Sequence, residues 1–373
     1  MNFAQLSSVR HRVQLGAPLP FNVRHADTTL LLARGQRVLS EVQLQALFER
    51  GALVDLAELQ DTREEILKAP REQLPGLWSR SLSVVSQTLM REPDAILVAS
   101  LDEATRSIQC LIDRDPDLAI FQVVRQGASA DINYSAQRPV QSAITAYLVA
   151  QRLTWSTEQA SRAFNVGLTM NLSMRERQGQ LTRHRGSLSA VQREEVNSHP
   201  ARTMQMLELA GIDDSEWLLA VLQHHEQEDG NGYPTGASQV CELASLVRRA
   251  DIYTAKLTVR GSRVAMGADQ AARQMFMQDP GHPMTAALVK EFGIYPPGCH
   301  VRLASGELAV VVARGASITA PMVACLTNER GMPLPAPVRR ETSDRKHAVM
   351  AVVGQASVNV RVPLERLMEA LAA

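Results

Sequence analysis

The chain has 373 residues, 39 basic and 39 acidic, with 45% hydrophobic and 21% charged residues. At roughly 150 residues per domain this length gives two or three domains, and the ordinary composition excludes a disordered chain. Zero net charge supplies no global positive field for nucleic acid or an anionic membrane. The four cysteines, Cys110, Cys241, Cys299 and Cys325, are scattered and form no CxxC pair. The N-terminal stretch holds no secretory apolar core, and the longest apolar runs, such as 308–313, fall far short of the roughly 20 residues that cross a bilayer. The expectation is a protein of a reducing cytoplasm, with neither DNA nor a membrane span among its partners.

Residues 1–60 read as a small α+β module. Short β-prone runs precede one helix, in which Ser40 and Gln43 have capping-box spacing, Val42, Leu44, Leu47 and Phe48 supply an apolar stripe, and Gly51 ends the run. Residues 61–125 read as a helical connector, with breaks at Pro70, Pro75, Pro93 and Pro116. Residues 126–290 form the main helical domain. In it, 188–211 is a helix with Val196, His199, Met206, Leu207 and Ala210 on one face, which carries an imidazole into a core.

A second helix, with Trp217, Leu218, Val221 and Leu222, ends at His224-His225 and runs into Glu-Gln-Glu-Asp-Gly-Asn-Gly-Tyr-Pro at 226–234. Neighbouring side chains differ by about 100° around a helix, so both histidines meet one centre only near a helix end. A third helix places Val247, Ala250, Asp251 and Ala255 on one face, sending a carboxylate inward where it needs a counter-ion or a metal. Three histidines and an aspartate on three helices suit a metal cluster. The plainer reading stays open: hydrogen-bonded core histidines, with Asp251 paired to Arg248 or Arg249. His282-Pro283 reads as a loop outside the helical frame. Residues 291–373 read as a small β domain, its strands near 298–313, 321–326 and 349–354, with a terminal helix.

At these residues the sequence resembles the HD-GYP domains of the HD phosphohydrolase superfamily, bacterial domains that hydrolyse cyclic di-GMP at a two- or three-metal centre. The resemblance covers about residues 130–280 and rests on His199-Pro200, on the 224–234 run, and on Asp251 followed by Arg260 and Arg263. The flanking GxPLPFxV near residue 16 and GIYPPGxxVxLxxGExAVV from residue 293 look like modules attached to such domains. The fold implied is mainly α: an all-helical HD-GYP-like core flanked by the small α+β module and the small β domain. The metal residues implied are His199, His224 and His225 for one ion, with Asp251 matching a ligand of another. Arg260, Arg263, Lys256 and Tyr233 are the implied nucleotide-binding residues.

The departures decide the functional expectation. Met170 stands where the family has the histidine of its His-Asp doublet, Asn171 where it has the aspartate, and Met174 where it has a lysine. The place of the family's earlier histidine falls near Arg138. A neutral amide cannot bridge two cations as a carboxylate does, and a thioether is a poor ligand for hard ions. The chain is therefore expected to hold at most one divalent ion of the iron, manganese or magnesium kind, or none. It is expected to act in cyclic di-GMP signalling as a module that responds to cyclic di-GMP or a related cyclic dinucleotide, with hydrolysis lost or crippled and a signalling protein as partner. The alternatives are an active phosphodiesterase using one metal ion, and a scaffold that takes no ligand. No catalytic residue is assigned.

Overall fold

In the computed structural model the described residues are all but 1–2, 14, 56–61, 91–94, 127–133, 176, 178–185, 259–264, 355–356 and 373. The Ser40 hydroxyl accepts the Gln43 N–H at 3.2 Å and the Gln43 amide oxygen accepts the Leu39 N–H at 2.9 Å, which starts helix α1 (Glu41–Glu49). Gly51, at φ +63°, ends it. Four short antiparallel strands, β1 (Phe3–Gln5), β2 (Val23–Arg24), β3 (Leu30–Leu32) and β4 (Leu53–Asp55), run in the order β1-β4-β2-β3. Leu44 and Leu47 join Phe21 and Val54 in a small core of their own. Val42 does not share that face: it is 80% exposed, because residues two apart in a helix lie about 200° around the axis.

Among the described residues eleven α-helices follow. They are α2 (Thr62–Lys68), α3 (Leu74–Leu89), α4 (Ala95–Arg114), α5 (Pro116–Gln126), α6 (Tyr134–Arg152), α7 (Thr157–Thr169), α8 (Ala190–Leu209), α9 (Ser215–Gln223), α10 (Glu242–Leu257), α11 (Ala268–Gln278) and α12 (Pro283–Phe292). Ser156 with Gln159 and Ser189 with Gln192 make full capping boxes for α7 and α8. Asp214 caps α9 by accepting the Glu216 and Trp217 N–H groups, and Arg162 of α7 donates to the same carboxylate at 2.6 Å. His282-Pro283 is not a loop. His282 Nδ1 accepts the Met284 N–H at 3.2 Å and Pro283 is the first residue of α12, where its missing N–H is harmless.

The two central helices, α6 and α10, are buried along most of their described length, and α7 packs closely on α6. A Cβ on Gly167 of α7 would sit 2.9 Å from the Ala143 Cα of α6, so only glycine lets the two backbones approach this far. After α12, strands β5 (His300–Leu303), β6 (Leu308–Ser317), β7 (Ala320–Thr327), β8 (Pro333–Glu341) and β9 (Val349–Val353) form an antiparallel sheet in the order β8-β7-β6-β5-β9. Its side chains alternate. Val310, Val312, Ala324 and Leu326 enter the helical core, whereas Val301, Val311, Val323 and Cys325 build a separate one. The last helix, α13 (Leu364–Ala372), adds Leu367 and Met368 to the helical core. Glu291 of α12, 8% exposed, accepts from Arg152 of α6 at 2.6 Å and from Arg314 of β6 at 2.7 Å, tying sheet to helices.

The architecture is thus mainly α with a small strand-rich module at each end. Among the described residues no helix is long and apolar enough to cross a membrane. The Gly167 contact gives a direct test. Gly167→Val should overpack the α6–α7 contact, costing about 3 kcal/mol and lowering the melting temperature by roughly 5–10 °C. An unchanged melting temperature would show that the two helices can separate freely.

Candidate metal centre

His199 lies inside α8, and its position is set by the proline that follows. Pro200 has no N–H to give to the carbonyl of Val196, four residues back, so that oxygen accepts the His199 Nδ1–H instead, at 2.6 Å. His224 caps the C-terminus of α9, where carbonyls lose their helical donors, and its Nδ1 reaches the Val221 carbonyl at 2.6 Å. A carbonyl only accepts, so in both rings the proton sits on Nδ1 and Nε2 carries a lone pair. These two Nε2 atoms face each other at 3.2 Å. His225, just past the helix end, brings its ring to 4.2 Å from that of His224 and 5.1 Å from that of His199. One ligating nitrogen from each of the three lies within 4.8 Å of the others, a group that can hold a metal ion.

Two bare lone pairs at this distance repel unless a cation lies between them. At metal–nitrogen bonds of about 2.0–2.1 Å, neighbouring nitrogens stand roughly 3.3 Å apart on a tetrahedral edge and roughly 2.9 Å apart on an octahedral one. The observed 3.2 Å falls between these. The donor set therefore fits a divalent ion of intermediate hardness. Burial keeps the rings neutral: it lowers the pKa of His199 to about 3, with the neighbouring His224 adding to the effect. Burial is also the main cause of the lowered values at His224 and His225, and at His225 the other two rings, Arg138 and Arg248 push in the same direction. Neutral imidazole is the metal-binding form.

The 226–237 loop is folded back over this group by a carboxylate. Glu226, 1% exposed, accepts the Thr235 N–H and hydroxyl, both at 2.7 Å, and the Ala237 N–H at 3.1 Å. Gly232 passes so close that a Cβ there would lie 2.4 Å from the Glu226 Cα. This brings Tyr233 onto His225, ring centroids 4.5 Å apart and 26° from parallel. Tyr233 thus walls the centre, and burial raises its phenol pKa, leaving it a neutral hydroxyl.

Asp251 is buried on α10, as its helical face predicted, and lies outside the three-histidine group. Arg138 Nη2 donates to both of its oxygens, at 2.8 and 3.0 Å, and the Ser142 hydroxyl donates at 3.1 Å. Its partner is therefore Arg138 rather than Arg248 or Arg249. Arg249 is held instead by Asp279, at 2.7 Å, and Arg248 donates to Gln227 at 3.0 Å. Lys256, also buried, donates to Gln274 at 2.7 Å. Met170 and Met174 are buried, Met170 within the helical core. Asn171 is half-buried before the short 3₁₀ turn Leu172–Met174, and Ser173 ties that turn to α8 by donating to the His199 carbonyl at 3.1 Å. Arg260 and Arg263 lie outside the described residues.

Sequence reasoning did not find the roles of Arg138 and Glu226. Arg138 and Ser142 are one turn apart on α6, and so are Asp251 and Thr254 on α10, with Ser142 and Thr254 3.0 Å from each other. Such a polar pair at one-turn spacing on each of two largely buried helices is the signal that points to a buried polar contact. Glu226 carried no comparable signal, because its partners are two backbone N–H groups and one hydroxyl of a loop.

An HD domain profile matches residues 123–279. Over this stretch the chain is similar to HD domains. Its resemblance to the HD-GYP branch, carried by His199-Pro200 and the 224–234 run, is borne out. Over 252 residues the chain is 29% identical to a protein named cyclic di-GMP phosphodiesterase in Pseudomonas aeruginosa, covering 66% of this chain and 60% of that protein. Over 234 residues it is 25% identical to a 3'3'-cGAMP-specific phosphodiesterase of Vibrio cholerae, covering 62% of this chain and 47% of that one. The chain thus spans less than two thirds of the length of either relative. It is also similar to a solved HD-GYP-type protein from Bdellovibrio bacteriovorus at 14% identity and a TM-score of 0.47, over 78% of this chain and 98% of that one.

The buried neutral histidines make the metal-free protein acid-sensitive. Below about pH 6.5 the unfolded chain takes up protons on these rings and the folded chain does not, since the folded pKa of His199 is about 3. Stability is then complete above about pH 6.5 and falls with pH toward 3, by up to about 1.4 kcal/mol per pH unit for each such ring. Urea unfolding in chelator at pH 7.5, 6.5 and 5.5 should show this loss, and His199→Asn should make it shallower. Equal stability at the three pH values would mean that the rings are protonated in the fold and are not metal donors.

Proposed function

We propose that the HD domain holds one divalent ion on His199, His224 and His225 and binds a cyclic dinucleotide beside it, with phosphodiester hydrolysis crippled. The observation that carries this reading is the pair of locked, neutral imidazoles whose Nε2 atoms converge at 3.2 Å, with no carboxylate in the same group among the described residues. A bound ion would supply Lewis acidity toward a phosphate oxygen or a water. The chain itself supplies the donors, the Tyr233 wall and the shielding from solvent that strengthens charge interactions there. Cyclic di-GMP is the ligand favoured, from the relative named for it, and the cGAMP-specific relative makes a mixed cyclic dinucleotide the nearest variant.

Arg260 and Arg263, after Asp251 at the spacing of the family's arginine pair, are proposed to contact the nucleotide phosphates through forked guanidinium donors. Loss of the bridging carboxylate at Asn171 and of the imidazole at Met170 removes the support for a second ion. If that ion contributes about 4–6 kcal/mol to the transition state, its absence slows hydrolysis by three to four powers of ten.

Two assays on the full chain test this reading. Calorimetry with cyclic di-GMP should show binding that weakens by roughly 1.5–3 kcal/mol in Arg260→Ala and in Arg263→Ala. Turnover should stay near background with iron, manganese or magnesium supplied, and recover in part when Met170→His and Asn171→Asp are combined. Robust turnover by the unaltered protein, abolished by His225→Ala, would favour a working one-metal phosphodiesterase. No binding of any cyclic dinucleotide would leave the scaffold reading.

A further inference from the structure

Asp251, paired with Arg138, lies outside the three-histidine group. Both side chains are buried, at 9% and 10% exposure, in contact between the two central helices of the domain. The pair is near enough for its charges to act on the imidazoles, Asp251 on His199 and His224 and Arg138 on His224 and His225. The pair is built rather than incidental. Arg138 spans both carboxylate oxygens, Ser142 adds a third donor one turn along α6, and Thr254 of α10 holds Ser142 at 3.0 Å.

A carboxylate whose charge reaches neutral imidazoles is the group that a hard cation would draw on first. Here it already has a cation, and one of fixed charge, because a guanidinium does not deprotonate in a protein. A divalent ion at Asp251 would have to displace the guanidinium or face it across the same two oxygens.

We propose that Arg138 is a resident cation that stands in for a second metal ion: clamped on Asp251, it withdraws that carboxylate from metal coordination and leaves the histidines as a one-ion centre. This rests on the metal-centre part of the function proposed above and is independent of its nucleotide part. It gives α6 and α10 a metal-independent tie, and it keeps a positive charge at the centre when no ion is bound. Arg138 is in this account a positioning residue that sets the ion count.

The test uses manganese alone, with no nucleotide, so its failure is distinct from failure of the cyclic-dinucleotide reading. In chelator, Arg138→Ala should lower the melting temperature by on the order of 10 °C, since it strands a buried carboxylate. Adding Asp251→Asn to that variant should restore part of the loss. With manganese titrated in, the wild type should bind no more than one ion per chain, while Arg138→Ala should bind manganese at least tenfold more tightly, and the double variant should lose that gain. Arg138→Lys, which keeps the charge, should fold and bind manganese as the wild type does, so the account stays testable if the alanine variant fails to fold. Manganese affinity unchanged in Arg138→Ala, or raised in Arg138→Lys, would overturn the proposal and leave the pair a structural strut. Two ions on the wild type would overturn it as well.

Discussion

Two lone pairs held face to face are what the rest of this domain is arranged around. The Nε2 atoms of His199 and His224 are 3.2 Å apart and neither carries a proton, because each ring has committed its N–H to a backbone carbonyl. Each carbonyl is freed in a different way. In α8 the proline after His199 deletes the N–H that would have used it, and in α9 the helix simply ends. The capping boxes and the Asp214–Arg162 contact that fix α8 and α9 therefore also fix the donor geometry. Glu226 extends the same control to the loop, setting Tyr233 against the third ring.

Electrostatics then limits what the arrangement can take. Burial disfavours charged imidazole, so the rings are ready for a cation without first losing a proton. Asp251, the carboxylate whose charge reaches His199 and His224, is already paired within the protein with Arg138. A site with three neutral nitrogens and a spent carboxylate balances less positive charge than one with free carboxylates, and on the proposed reading this physical difference separates a one-ion centre from a two-ion hydrolase.

Much of this was legible in the residues. His199 and Asp251 fall inward because the apolar positions around them repeat at helical spacing, and two adjacent histidines can share a centre only where a helix stops, which is where His224 and His225 lie. The strands read near 298–313 are present as β5 and β6. What was not legible depended on contacts between distant segments. The partner of Asp251 is 113 residues away, and the nearer Arg248 and Arg249 are taken up by Gln227 and Asp279. Val42 misled because hydrophobicity alone does not say which side of a short helix meets the core, and His282-Pro283 because the same dipeptide that frees a carbonyl inside α8 begins a helix at α12.

The central claim is the coordination itself, and X-ray absorption at the edge of the bound metal reads it most directly. On protein loaded with manganese or iron and freed of excess ion, the account predicts a first shell of nitrogen and oxygen donors, with the outer-shell pattern of imidazole carbons from three histidines. It predicts no metal–metal scattering near the roughly 3.5–4 Å spacing of two-ion sites. A metal–metal feature at that spacing, or a shell without imidazole, would contradict it.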